Sequence, residues 1–400
     1  MKCNNVYMGF VAESTGAEVK PSNTATGFVL FWGAILALLN CRYVLLDTVK
    51  NNYWLAVKQG MGTWLLRSLE LVVLISVLLG AMVLALSIGR YPLPPGEVLR
   101  YFLCVVGFDV LPAERLALLQ NLVVDIRLPR VLASVLVGAS LSVSGAAYQA
   151  VFRNPLVSPA LLGVLAGAAC GAAAGFIFSL PWWQVQGLAF VGGLLAVVIG
   201  VGIASLFGGG GVVMLVLGGI ISGGLFSSLL SLVKYMADPL NQLPAIVYWL
   251  MGSLGMATLH DMAWVSVPMG VGVFALVLSG RALDALTMGD DEARALGISV
   301  TAVRYGVIVA ATLISALTVS IAGMIGWVGL IVPHIARLLV GPCNSRLLPA
   351  AAVLGSMFLL LADGISRNAA TTEIPIGIVT ELLGIPIFLL VLHRVRRGWV

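Results

Sequence analysis

The stretch RLPRVLASVLVGASLSVSG, residues 127–145, decides the reading of the fold. Arg127 and Arg130 flank a Leu-Pro pair, and from Val131 to Val151 no charged residue interrupts the chain. The run is about as long as a bilayer crossing requires and lacks period-two alternation, so it reads as a membrane-spanning helix rather than a barrel strand. Two fixed cations at its mouth have two readings. They snorkel to lipid headgroups, or they form a cationic rim for an acidic partner. Spacing alone leaves both open.

The rest of the chain agrees with a membrane setting. Of 400 residues, 60% are hydrophobic and only 10% charged, with a mean hydropathy of +1.06. Soluble domains carry roughly 25% charged residues. Apolar segments fall at about 65–89, 131–151, 160–180, 186–207, 212–233, 262–280, 305–325, 326–340, 347–366 and 375–392. These predict an all-α integral membrane protein with ten crossings over residues 61–400. Residues 1–60 read as an N-terminal extension whose apolar segment, 27–46, contains Asn40 and Arg42 and either spans or lies on the surface.

Orientation follows from loop charge. Arg394, Arg396 and Arg397 place the C-terminal tail in the cytoplasm. Counting back through the spans puts Arg127, Arg130 and Arg367 on the outer side, where the positive-inside bias disfavours them. The net charge of +5 reflects basic inner loops, and no basic run with interleaved aromatics points to nucleic acid. Cys3, Cys41, Cys104, Cys170 and Cys343 are scattered and form no CxxC, so neither a disulfide framework nor a metal cluster is expected. The start, MKCNNVYMGFVAESTGAEVK, is polar and has no signal-peptide core.

Two spans carry polar or small faces. Ser140, Ser144 and Tyr148 recur every four residues, with Ser142 and Gln149 on a neighbouring face. They are either hydroxyl glue between helices or a wall facing water and substrate. Gly219, Gly223, Ser227 and Ser231 form a small-residue face that suits close helix packing or an open path lining. On the inner side, FRNPLVSP carries Asn154 and Pro155 in a short link, and the glycines at 208–211 lead into Val212 and Val213. Each link is a turn or a gate.

The most charged stretch of the membrane region is RALDALTMGDDEARALGISVTAVR, residues 281–304. Asp290 or Asp291 can start a short helix through Glu292, Ala293, Arg294 and Ala295, followed by Leu296 and terminated at Gly297. Such structure exceeds what a connector needs and predicts a docking helix for a cytosolic protein. No G-x-x-x-x-G-K-[ST], HExxH or GxSxG occurs, and His260, His334 and His393 are far apart. Glu381, within GIVTELLGIPIF, is the notable intramembrane acid.

Taken together, RLPRVLASVLVGASLSVSGAAYQAVFRNPLVSPALLGVLAGA, MLVLGGIIS, YWLMGSLG, GDDEARALGISV, AGMIGWVGLIVPHIARLL, LLLADGISR and EIPIGIVTELLGIPIF resemble the permease subunits of type II ABC importers, which carry iron–siderophore complexes, haem, cobalamin and related chelates. The resemblance covers roughly residues 65–400. It implies a ten-helix subunit in the cytoplasmic membrane of a bacterium or archaeon and a homodimer with the path at its interface. It also implies two cytosolic ABC ATPase subunits and a periplasmic or surface-anchored binding protein, with no cofactor and no catalytic residue. By the same resemblance Arg127, Arg130 and Arg367 face the binding protein. Asn154 resembles a gate residue, and Asp290 to Gly297 resembles the coupling helix that seats in the ATPase. At the second gate the family is often Ser/Thr-bearing where this chain has Gly211, Val212 and Val213, so that assignment departs from the pattern. The alternative is an ion-coupled secondary transporter, which would want paired intramembrane acids and an inverted repeat.

Overall fold

A computed structural model describes residues 63–89, 91–108, 111–208 and 211–396, which are helices and their connections. In chain order the helices are α1 (Thr63–Ser87), α2 (Pro95–Val105), α3 (Ala113–Leu119), a π-helical segment Gln120–Arg127, and α4 (Leu128–Val151). A 3₁₀ turn, Pro159–Leu162, precedes α5 (Val164–Ile177), α6 (Trp182–Gly208), α7 (Val212–Met236) and α8 (Gln242–Leu250). Next come α9 (Leu259–Leu278), α10 (Gly280–Met288), α11 (Asp290–Ala295) and α12 (Val300–Ala322). Last are α13 (Val328–Val340), α14 (Asn344–Asn368) and α15 (Ile376–Arg396). The expected extension 1–60 lies outside the described residues.

Among the described residues, six helical stretches are long and apolar enough to cross a bilayer: 113–151, 182–207, 212–236, 259–278, 300–322 and 344–368. Further apolar stretches lie at 72–87 within α1, at 164–177, at 328–340 and at 376–391 within α15. At 1.5 Å per residue, the helix 164–177 spans only about 21 Å of a ~30 Å core. A 3₁₀ turn leads into 164–177, and the irregular Gly323–Trp327, with Gly323 and Trp327 at positive φ, leads into α13.

α4 is the hub. It is buried along nearly its whole length and packs on α14, α12, α9 and α13. Small residues permit this. A Cβ at Gly145 would lie 1.9 Å from the Gly329 carbonyl oxygen, and one at Gly138 would lie 2.3 Å from that of Gly355. Pro129 in the first turn suits a helix start. The helix does not begin at Val131 as expected; the π-helical segment and α3 extend it outward to Ala113. α5, α6 and α7 form a second layer through the same kind of close approach.

Local signals fix several boundaries. α9 opens with a capping box: the Asp261 amide donates to Thr258 Oγ1 at 3.1 Å, and the Thr258 amide donates to Asp261 Oδ2 at 3.2 Å. The amides of Asn344 and Ser345, at the start of α14, donate to the Asp284 carboxylate of α10 at 2.5 and 3.3 Å.

Candidate functional site

Three polar clusters stand out among the described residues, built on Arg130 and Asp363, on the α4 stripe and on Asp290. At the end expected to face outward, Arg127 and Arg367 both reach the last turn of α1. Arg127 donates to the carbonyls of Leu86 (2.6 Å), Ser87 (3.2 Å) and Tyr91; Arg367 donates to those of Ala85 (3.4 Å) and Ile88 (3.3 Å). A helix C-terminus presents unpaired carbonyls and partial negative charge, so two guanidinium groups there are well matched. Arg130 Nε lies 2.6 Å from Asp363 Oδ1, and its Nη1 lies 2.9 Å from Glu373 Oε2. Arg367 Nε sits 3.0 Å from Asp363 Oδ2 without the alignment of a hydrogen bond, so this contact is an ion pair only. The three arginines are 5–8% exposed. Their charge is therefore not free at the surface: it is taken up by α1, α14 and the Glu373 loop. Asp363 is legible in the sequence through the D-x-x-x-R spacing to Arg367 within LLLADGISR, whereas nothing local marks Glu373 as a partner of Arg130.

In the middle, the polar stripe of α4 is bonded inside the protomer only in part: Ser144, Tyr148 and the Gln149 amide nitrogen find partners, whereas the buried Ser140 Oγ, Ser142 Oγ and Gln149 Oε1 have none. Ser144 Oγ donates to the Ser140 carbonyl (2.7 Å), Ser315 Oγ donates to Ser144 Oγ (3.2 Å), and Tyr148 shares a hydrogen bond of 2.8 Å with Thr312. Gln149 Nε2 donates weakly to the Gly329 and Leu330 carbonyls, both at 3.4 Å. Ser140, Ser142, Ser144, Tyr148 and Gln149 are all buried. Ser144, Tyr148 and Gln149 link α4 to α12 and α13, as hydroxyl glue would. On α7 the small-residue face divides. Gly219 packs on the 3₁₀ turn, where a Cβ would lie 2.5 Å from the Leu161 carbonyl oxygen, and Gly223 sits over Gly163. Ser227 and Ser231 are exposed, with Ser231 Oγ back-bonded to the Ser227 carbonyl at 3.0 Å.

At the inner end, Asn154 Oδ1 accepts from the Leu156 amide (2.9 Å), closing an Asx turn in which Asn154 and Pro155 are exposed. Gly211 caps α7 in extended geometry, Val212 is half-buried and Val213 is exposed. α11 forms at the position expected for a docking helix. Its Ala293 is fully buried, while the side chain of Asp291 is 94% exposed; Arg294 pairs with Asp291 at 2.7 Å, and Leu296 stands out into solvent. Gly297 ends the helix in the left-handed region at φ +80°. Asp290 points back toward the bundle. Arg304 Nη2 of α12 donates to both its oxygens at 2.8 Å, and Arg153, next to Asn154, also pairs with it. The hydrogen bond from Arg304, reinforced by the positive charges of Arg304, Arg153 and Arg294, holds the Asp290 carboxyl below the usual carboxylate range against the opposing effect of desolvation. Arg153 and Arg304 are site residues that sequence reasoning misses. Nothing local in sequence links position 153 to position 290.

The described residues form a multi-pass α-helical membrane bundle with a structured charged insert at one end, and the class of protein follows from its relatives. The chain belongs to the FecCD transport family, which it matches over residues 25–394. That match begins earlier than the resemblance read from the motifs, which starts at about residue 65. Among its relatives are the molybdate import system permease protein of Haemophilus influenzae, 36% identical over 79% of this chain and 93% of that one, and the cobalamin import system permease protein of Halobacterium salinarum, 39% identical over 68% and 74%. A solved transporter assigned to the metal-chelate ABC type, in an inward-facing conformation, has a TM-score of 0.72 at 34% identity over 81% of this chain and 98% of that one. The protein is thus the transmembrane permease subunit of an ABC importer. Permeases of this family work as dimers with ATPase and substrate-binding partners.

Proposed function

We propose that this permease forms a homodimer that moves a metal chelate (an iron–siderophore complex, haem, cobalamin or a relative) inward by alternating access, driven by two cytosolic ABC ATPase subunits. The observation that carries the ATPase reading is α11. A fully buried Ala293 and an ion-paired Asp290 fix the segment to the bundle, while Asp291, Arg294 and Leu296 face out for a partner. The chain itself has no P-loop, so its two states shift only through differential binding of ATPase and binding protein. Relatives named for cobalamin and hemin import support the chelate class, one named for molybdate import carries an oxyanion instead, and the choice of cargo falls to the binding protein.

In this reading residues 61–400 are the permease domain, with ten crossings made by the six long stretches together with α1, α5, α13 and α15. Asn154 and Pro155 form one cytoplasmic gate, and Gly211, Val212 and Val213 form the other. Ser227, with the exposed side of α7, and Glu381, exposed on α15, line the path. The buried α4 stripe supplies rigidity instead. Arg127, Arg130 and Arg367 serve binding-protein docking by holding the outer loops in register, since their own guanidinium groups are occupied within the chain.

The test is uptake into liposomes holding the permease with its ATPase and binding protein. Ferric siderophore, haem, cobalamin and molybdate are compared with and without ATP. ATP-dependent uptake of one chelate is expected. Uptake that follows a proton or sodium gradient and ignores ATP would support the ion-coupled alternative and overturn this reading.

A further inference from the structure

The ion-pair network behind α11 does more than hold a docking surface in place, because it also joins two other elements. α4 ends at Phe152, and Arg153 adopts φ +48°, a left-handed conformation usually given to glycine. The Asn154 amide then donates to the Gln149 carbonyl at 3.2 Å, and the chain turns into the Asn154–Pro155 loop. An arginine at this strained position directs its side chain to Asp290, the first residue of α11. Asp290 is held on its other side by Arg304 of α12. That same helix bonds α4 through Thr312 and Ser315. One carboxylate therefore ties together the loop after α4, the short helix α11 and the base of α12. The Arg153 and Asp290 side chains are 38% and 29% exposed. A pair this exposed contributes little to stability, but it fixes where the loop sits relative to α11.

We propose that Arg153, through Asp290, is the positioning residue that transmits displacement of α11 to the Asn154–Pro155 loop. The inference rests on the proposed coupling role of α11. When α11 shifts with the ATPase, Asp290 carries the Arg153 guanidinium with it, and the adjacent Asn154 moves. Arg304 keeps the carboxylate oriented, so the displacement reaches the loop instead of being lost in side-chain rotation.

The experiment uses the full permease–ATPase–binding protein complex in liposomes and reads uptake per ATP hydrolysed. Arg153→Gln is expected to retain ATPase association and ATP turnover. Its uptake per ATP should fall by about 5-fold or more, the lower end of ordinary coupling effects. Arg153→Lys, which keeps the charge, should recover most of the loss. Adding Arg153→Gln to Asp290→Asn should lower the ratio no further than Asp290→Asn alone, because both remove one link. An unchanged ratio in Arg153→Gln, a lysine variant as impaired as glutamine, or additive losses would each overturn the proposal. So would a parallel fall of hydrolysis and uptake. A parent complex with no ATP-dependent uptake would instead refute the proposed function, so the two failures are distinguishable.

Discussion

Asp363 has the most constrained ionic role of any described residue at the outer end. Its side chain is 0% exposed and stands between Arg130 and Arg367, themselves 8% and 7% exposed. Removing one member of a buried ion-pair set leaves the others desolvated and uncompensated, at about 3–5 kcal/mol. Asp363→Asn should therefore lower the thermal midpoint of the detergent-solubilised permease strongly. Glu373→Gln, at a carboxylate 38% exposed, should lose only about 0–1 kcal/mol. Equal shifts in a melting assay would show that the arginines are not clamped through Asp363. Arg127, Arg130 and Arg367 are legible in the sequence as anomalous cations, because charge is scarce here and these sit on the disfavoured side. Their destination is hidden. Arg127 ends on backbone carbonyls of α1, which carry no side-chain signature, and the partners of Arg130 lie more than 200 positions away.

At the scale of elements, the long spans are legible because uninterrupted apolar length is the bilayer's own requirement. The short helices α2, α8 and α10 are not, since their runs are too brief to show a period. The start of α9 has a local signature in Thr258-Leu-His-Asp261, the two ends of its capping box. Helix seams carry a direct prediction. Alanine at Gly145 would place its Cβ 1.9 Å from the Gly329 carbonyl oxygen, a backbone atom that cannot turn aside. Overpacking of this kind costs about 1–3 kcal/mol. A Cβ added at Gly306, on α12, would meet nothing within 4 Å, and alanine there should stabilise by about 0.4–1 kcal/mol. Paired melting curves check both signs. α11 yields a prediction in pH. The folded Asp290 carboxyl lies below its unfolded value of about 3.9. Its stabilising effect is therefore complete above that value and is lost only as pH falls through the lower folded one. Association of the ATPase with the permease should be insensitive to Asp290 titration between about pH 6 and pH 8, so Asp290→Asn should leave the shape of that binding profile unchanged. A profile flattened by the substitution would contradict the assignment.

For the whole molecule, what one chain covers and what it leaves bare separates the legible from the illegible. α4 is enclosed, whereas α6, α7 and α9 expose Val198, Phe207, Leu225, Leu232, Trp264 and Val267. Lipid or a second protomer covers such surfaces, and no periodicity in one sequence distinguishes the two. Charge does. Glu381 is exposed on α15 between Ile378 and Leu382, which are also exposed. Facing hydrocarbon, an ionised acid costs about 2.5–3.5 kcal/mol even on insertion scales. The proposed path along α15 therefore expects that side to face water, and expects Val198 of α6, 66% exposed, to meet lipid. In a variant lacking Cys3, Cys41, Cys104, Cys170 and Cys343, a cysteine introduced by Glu381→Cys should react readily with a membrane-impermeant maleimide in reconstituted permease. Val198→Cys should stay unlabelled until detergent is added. Binding of the ATPase with a non-hydrolysable ATP analogue should change the Glu381→Cys labelling rate, because alternating access changes which side wets the path, and should leave Val198→Cys silent. Labelling at Val198→Cys with protection at Glu381→Cys would place the path on α6 and turn α15 toward lipid, reversing the assignment of faces.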